Sequence, residues 1–424
     1  MACAFLKGAE RNDGGCMIKR IRTQDLRIGM FVCDLNCDWL DHPFLRSRFL
    51  LRQDSQIASI LAHGIQEVDI DTRLGLDCPH APTRQEEISR HEQELVQLAR
   101  NSVAVPNRVA LAEEWETASR IFRETQHIVT DTLSGVRQGQ PLVLDALDEA
   151  VSEVAGSILR NPGALLSLSR IRDKDNYTYR HCIGVSALLI NFCQLENPDA
   201  RILHTVGMGG MLHDVGKMRI PGEILTKPGR LSDAEYDIMR THVDEGIGIL
   251  ETMPCIDPIV IRIAGEHHER HDGSGYPQGA AGDRISRFGQ MAAIVDVYDA
   301  LTSDRCYHRG MAPTEALRRI YEWSRFYFSR PLVGVFLRTI GIYPVGSLVR
   351  LESGRLAVVI EHDSSNLLTP VVKVIADPKR GRMTPYRLDL SRPLGSGGGD
   401  AICGHEDGAR LGIDPLEWLV GDPG

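Results

Sequence analysis

The chain has 424 residues, 42% apolar and 25% charged, ordinary proportions for a soluble globular protein of two or three domains. Its formal net charge of −9 argues against a non-specific nucleic-acid binder, which needs a basic surface, but leaves room for a local basic pocket around a phosphate ligand. No run of about 18 apolar residues is present, so no membrane-spanning helix and no membrane partner is predicted.

Residues 1–17 read as a weakly structured lead-in without the features of a secretory signal, and Met17 is a candidate start. The ten cysteines include no CxxC pair and are expected as reduced thiols in a cytoplasmic protein. Cys33 and Cys37 have no histidine at zinc-finger spacing and are not read as a metal site. Residues 18–83 mix β-like runs (Met30–Val32, Val68–Asp71) with an apolar-periodic stretch near Ile57, Ile60 and Leu61, which predicts a small α/β domain closed by Pro79 and Pro82.

Residues 84–163 predict a helical linker. Leu144, Leu147, Val151, Val154 and Ile158 recur at steps of three and four, and Trp115, Ala118, Phe122, Val129 and Val136 form a rougher stripe. Such a seam serves either a homodimer or the core of one chain. Residues 164–342 are predicted helical, with Gly/Pro loops between helices. Ser232 and Glu235 fit a capping box for a helix running through Tyr236, Ile238, Met239 and His242, and Pro313 and Pro331 fit first-turn positions. After Pro344 the runs 347–349, 356–360 and 371–375 predict strands of a small β subdomain over 343–392, and the glycines of 395–399 open an expected flexible tail, 393–424. The fold class is therefore mainly α: a helical bundle with a small N-terminal α/β domain and a small C-terminal β subdomain.

Several of the 15 histidines lie beside acidic residues on predicted helices. His181 opens an apolar helix, His213-Asp214 ends another, His242 lies on the capped helix, and His267-His268 close a fourth. Asp296 sits between Val295 and Val297, where a carboxylate is expensive to bury unless it is paired or bound to metal. Each histidine alone more often makes an ordinary core or surface contact. Together they form a mixed N/O donor set suited to iron, manganese or zinc, and donors on five helices converge only inside a bundle. Adjacent residues in a helix point about 100° apart, so His267 and His268 need a helix end to face one ion. Asp214 has two oxygens and can bridge two ions, which can then share a hydroxide for in-line displacement at phosphorus. The glycines of residues 273–277 permit a tight turn at the mouth of such a site.

The strings YTYRH, LHDVGK, IPGEILTKPGRLSDAEYDIMRTH, HHERHDGSGYP and VDVYDALTSDR, in that order across roughly 165–342, resemble the HD-GYP family of HD-domain phosphohydrolases. GMFVCDLNCDWLDHPFLRSRFLL with GIQEVDIDT resembles the domain of unknown function often found before them. The resemblance implies a cytoplasmic bacterial signal-transduction enzyme that hydrolyses cyclic di-GMP to pGpG, and in some members to GMP, with other cyclic di-GMP signalling proteins as partners. It implies two divalent metal ions, Fe or Mn foremost and Zn third. His181, His213, Asp214 and Asp296 would hold one, and Asp214, His242, His267 and His268 the other. Catalysis would rest on Asp214 and on Lys217, whose charge would stabilise the scissile phosphate. Tyr276, Arg305 and Arg309 would line the substrate site. Family members that bind a third metal carry Glu four residues before the first histidine; here that residue is Tyr177, so two ions are expected.

The chain departs from the family in Cys306-Tyr307-His308-Arg309, where Pro-Tyr-Arg-Lys is usual, and in Phe328-Ser329-Arg330-Pro331, where Phe-Asp-Pro is common. Arg309 keeps the charge of the usual lysine in a different geometry. Two other readings are a slow or inactive cyclic di-GMP sensor and a phosphohydrolase of another cyclic dinucleotide.

Overall fold

The computed structural model describes residues 17–36, 48–100, 107–171, 177–196, 199–227, 229–303, 310–362, 366–377, 381–394 and 396–421. The chain divides into two compact units. The smaller takes in the N-terminal region to Glu94 with Gly229–Asp237, and the larger runs from Leu95 through the remainder.

In the smaller unit, β1 (Ile18–Arg22), β2 (Phe31–Asp34), β3 (Phe49–Leu50) and β4 (Glu67–Asp71) form an antiparallel sheet in the order β1-β4-β2-β3, with α1 (Asp54–Ala62) in the β3–β4 connection. Val32, Ile60, Val68 and Ile70 alternate inward to make its core. Asp69 is buried there but paired, accepting Arg20 Nε–H at 2.8 Å.

The larger unit is a helical bundle built from α2 (Arg84–Arg100, shared with the smaller unit), α3 (Leu111–Arg137), α4 (Asp145–Arg160), α5 (Pro162–Ser169), α6 (Tyr177–Glu196), α7 (Ala200–Leu212), α8 (Gly222–Leu225), α9 (Asp233–Arg240, likewise shared with the smaller unit), α10 (His242–Glu251), α11 (Pro258–Glu266), α12 (Arg287–Thr302), α13 (Pro313–Trp323) and α14 (Arg330–Ile340). Leu147, Val151, Val154 and Ile158 of α4 are completely buried in the chain's own core beside Ala118, Phe122, Val129 and Val136 of α3. The stripe is thus an intrachain seam, and Val151 and Val154 are not the surface of a dimer. Pro313 and Pro331 occupy first-turn positions as expected. Among the described residues no helix is long and apolar enough to cross a membrane.

Helices α6 and α7 lie backbone against backbone. A Cβ on Gly210 would meet Ser186 Cα at 2.7 Å, and one on Gly207 would meet Ile190 Cδ1 at 2.7 Å. Ser186 Oγ donates to the Gly207 carbonyl at 2.8 Å across the contact.

Two expectations are corrected. The capped helix does not reach His242. Ser232 and Glu235 do form the capping box, but α9 stops at Arg240, a turn follows at Thr241, and His242 opens α10. The break leaves the Met239 carbonyl free to accept the His242 ring. Nor is 393–424 a flexible tail. Its described residues supply β9 (Ile402–His405), which pairs with β5 (Leu348–Leu351) at the end of a sheet ordered β8 (Gly381–Asp389), β7 (Val371–Asp377), β6 (Leu356–Glu361), β5, β9. They also supply α15 (Gly408–Leu411) and the buried Leu419. Ile402 and Leu419 bury apolar surface there, the driving force that the preceding glycine run masked.

Candidate metal centre

Helix α6 contributes His181; the junction after α7 contributes His213 and Asp214; α10, the end of α11 and α12 contribute His242, His267-His268 and Asp296. These seven residues come together in two groups. His181, His213 and Asp296 form one, and Asp214, His242, His267 and His268 the other; within each group the donor atoms all lie within 4.8 Å of one another. Asp214 lies between the groups, with Oδ2 3.3 Å from His213 Nε2 and Oδ1 3.5 Å from His242 Nε2 and 3.7 Å from His267 Nε2.

Backbone geometry sets the ring orientations. Nδ1 of His213 lies 2.8 Å from the Gly210 carbonyl, that of His242 2.7 Å from Met239 O, and that of His267 2.8 Å from Ala264 O. Each carbonyl is three residues upstream, within the same helix or helix end for His213 and His267 and across the break after α9 for His242. A carbonyl only accepts, so each Nδ1 carries the proton and each Nε2 presents a lone pair. Those three Nε2 atoms and Asp214 Oδ1 are buried with no hydrogen-bond partner among the described residues. Four orphaned electron-pair donors, one in the first group and three in the second, are costly in an apo cluster and fit divalent cations of N/O preference.

His181 is held differently. Its Nδ1 donates to Asp299 Oδ2 at 2.7 Å and its Nε2 lies 2.9 Å from Asp296 Oδ1. Burial pushes this imidazole's pKa down, but the bonds to Asp296 and Asp299 outweigh it and raise the value to about 9. Burial pushes His242 down to about 4 and His267 to about 3, so both are neutral. Burial raises the pKa of Asp214, yet Lys217 and the neighbouring histidines hold it well below the usual carboxylate range. Burial likewise opposes ionisation of Asp296, and His181 overrides it.

Lys217 reaches back from the short 3-10 turn Val215–Arg219 to bond Asp214 Oδ2 at 2.5 Å. Gly216 makes this turn possible: a Cβ there would lie 1.9 Å from the His242 carbonyl. At the mouth, the Tyr276 ring stacks on His268 at 4.6 Å, and the Arg240 guanidinium covers Tyr276 at 4.6 Å. Gly273 adopts φ +82° where the loop turns. Arg305 and Arg309 lie outside the described residues, as do Cys306 and His308.

Sequence reasoning missed two residues. Asp299 orients His181, and its spacing of three from Asp296 on one helix was the available signal. Gly184 makes room for it, since a Cβ there would lie 2.3 Å from Asp299 Oδ1. Glu269 is buried and accepts the backbone N–H groups of Gln278 at 2.7 Å and Ala280 at 2.9 Å, fastening the Gly-Ser-Gly-Tyr-Pro loop. Nothing in its local sequence distinguished it from a surface charge.

Two family models match the chain. The profile of a domain of unknown function, DUF3391, matches residues 18–147, and that of the HD domain matches 158–328. The chain is 40% identical over 393 residues to a cyclic di-GMP phosphodiesterase of Pseudomonas aeruginosa, covering 92% of each chain. It is 34% identical over 154 residues, 36% of each chain, to 3′3′-cGAMP-specific phosphodiesterase 1 of Vibrio cholerae. A solved HDG"Y"P protein from Bdellovibrio bacteriovorus aligns with 75% of this chain and 98% of its own, at 17% identity and TM-score 0.45. Identity of this extent to the Pseudomonas protein, together with the matched domains, places the chain in the HD-GYP family.

Proposed function

We propose that this protein is a metal-dependent phosphodiesterase that hydrolyses cyclic di-GMP to pGpG, the test below deciding whether the second bond is cut to give GMP. The observation that carries the reading is the pair of donor groups joined by Asp214, with three orphaned imidazole lone pairs and a lysine on the same carboxylate. His181, His213, Asp214 and Asp296 would hold one ion and Asp214, His242, His267 and His268 a second; the donor set accepts Fe, Mn or Zn, and the family resemblance points to Fe or Mn. Divalent ions so held supply Lewis acidity at phosphorus and a nucleophilic oxygen at neutral pH.

The chain's own groups do the rest. Lys217, once drawn off Asp214, places a positive charge where the phosphorane gathers negative charge and is a proton source for the departing 3′-oxygen. Tyr276, braced between His268 and Arg240, offers a flat face at the mouth for a guanine base. Arg305 and Arg309 are assigned to the ligand phosphates. The identity over nearly the whole length of the Pseudomonas enzyme supports cyclic di-GMP as substrate. The shorter similarity to a 3′3′-cGAMP-specific enzyme makes that dinucleotide the competitor to test.

The test is anaerobic turnover of both dinucleotides by protein loaded with Fe(II) or Mn(II), with products resolved. pGpG or GMP formed from cyclic di-GMP, and abolished in Asp214→Ala, is the expected result. Preferred turnover of 3′3′-cGAMP would reassign the substrate. Binding without turnover under either metal would make the protein a sensor.

A further inference from the structure

We propose that the larger unit contains a second small-molecule site, for a compact organic anion, in a cavity separate from the metal centre. The cavity has a volume of about 200 Å³ and lies among α5, α6, α12, α14 and the chain entering the C-terminal sheet. That exceeds the ~150 Å³ void known to take a benzene ring. None of the seven candidate metal ligands lines it; α12 reaches it through Tyr298, Asp299 and Thr302.

Three observations point to an absent ligand rather than to packing slack. Ser167 on its wall is completely buried and its hydroxyl has no partner among the described residues. Asn191, 6% exposed, also lines the cavity, and its amide makes no side-chain hydrogen bond among the described residues. Buried polar groups in native proteins are almost always satisfied, so the orphaned Ser167 hydroxyl marks a place for a polar guest, with Asn191 lining the same cavity. The third observation is charge. Arg170 donates to the Val345 carbonyl, but neither Arg170 nor Arg338 has a carboxylate within ion-pair distance among the described residues.

The other charged groups on the wall are already engaged. Arg160 is gripped by Glu114 at 2.7 Å, Glu361 by Arg387 at 2.6 Å, and Asp299 by His181 at 2.7 Å. Arg338, and Arg170, which Asp299 and Asp414 influence only from beyond ion-pair distance, therefore supply the positive charge inside, and guanidinium prefers a planar or multidentate anion such as carboxylate or phosphate. Leu188, Leu195, Ile340 and the Tyr298 ring supply apolar wall for the body of the ligand. The guest this describes has one anionic head and an apolar body not much larger than one ring. The inference stands on the cavity alone and does not depend on the activity proposed above.

The test titrates benzoate and its neutral isostere benzamide into the full chain by calorimetry. It is repeated with Arg338→Ala, with Asp214→Ala and with chelator-stripped protein. Benzoate is expected to bind wild-type, Asp214→Ala and stripped protein alike, and to weaken by about tenfold or more in Arg338→Ala, as loss of one charge-assisted bond implies. Benzamide is expected to bind about tenfold more weakly than benzoate. Arg338 is only half-buried, so its replacement tests binding rather than folding. No benzoate binding up to roughly 10 mM overturns the proposal. So does binding lost on stripping the metal yet unchanged in Arg338→Ala, which would place the anion at the metal centre. Equal affinity for benzamide would overturn the anionic assignment.

Discussion

Replacing Asp299 with Ala removes the carboxylate acceptor of His181 Nδ1, a bond of 2.7 Å between buried groups. Two outcomes are open to the imidazole. It can keep the Nδ1 proton with no partner, at a cost of about 1–3 kcal/mol. Or it can shift the proton to Nε2 and turn its lone pair away from Asp296. Either reduces the fraction of chains ready to take an ion at the His181–His213–Asp296 group. Losing an outer-shell partner of this kind typically lowers metal affinity by about 10–100-fold, equivalent to about 1.4–2.8 kcal/mol. The group of Asp214, His242, His267 and His268 takes two of its ring orientations, those of His242 and His267, and its carboxylate from other elements, so its affinity should change by less than about threefold. Competitive chelator titration with Mn(II), which resolves a tight and a weak class, measures both. Asp299→Asn keeps an oxygen acceptor without its charge and should recover about half of the lost free energy. Unchanged affinity in a folded Asp299→Ala protein, or an equal loss at both groups, would refute the reasoning.

Three further outcomes follow from the geometry. Gly216→Ala forces a methyl to 1.9 Å from the His242 carbonyl, so α10 must retreat; an overpacking cost of about 1–3 kcal/mol is expected, with metal lost first from the His242 group, as read by thermal melts and metal content. Glu269→Gln weakens the two charge-assisted acceptors of the loop, and hydrogen exchange at the Gln278 and Ala280 amides should accelerate by about tenfold or more, while amides of α6 hold their protection. The pH dependence of the metal-free chain has two sides. His181 is raised to about 9, so its contribution is full below about 6.5 and is lost as pH climbs to 9; His242 and His267 are lowered to about 4 and about 3, so theirs is full above about 6.5 and is lost as pH falls to those values. Stability from these groups therefore peaks near pH 6.5, and metal loading at pH 7 should release about one proton, from His181, in calorimetry across buffers of different ionisation enthalpy. A melting temperature that rises steadily from pH 6.5 to 9 would contradict the first side.

What the amino-acid order made legible was chemistry carried on local periodicity. His181, His213, Asp214, His242, His267, His268 and Asp296 were visible because each sits beside apolar residues on a recognisable helix, and the structure brings all seven together. The strands at 356–361 and 371–377 were visible as β-branched runs between turns. What stayed hidden depends on partners distant in sequence. Glu269 looks like any charge until the amides of Gln278 and Ala280 fold back on it. The seam of α4 looks the same whether it faces a second chain or Gly207 of its own. Strand Ile402–His405 has too little alternation to announce itself and exists because β5 offers an edge. The end of α9 at Arg240 answers to a ring two residues on, which no propensity records.

The contact of α6 with α7 has a consequence for which ions the centre admits. Side chains between helices act as a compliant layer, since rotamers can shift to let the helices part. At Gly210 that layer is missing and main chain rests on the main chain of Ser186, while the Ile190 side chain fills the space over Gly207. His181 and His213, with ring centroids 5.1 Å apart, ride on these two helices as on the jaws of a fixed caliper. Such a frame resists dilation. Calcium, which seeks six to eight oxygens at about 2.3–2.6 Å in a yielding cage, would find both the wrong donors and an aperture that does not stretch.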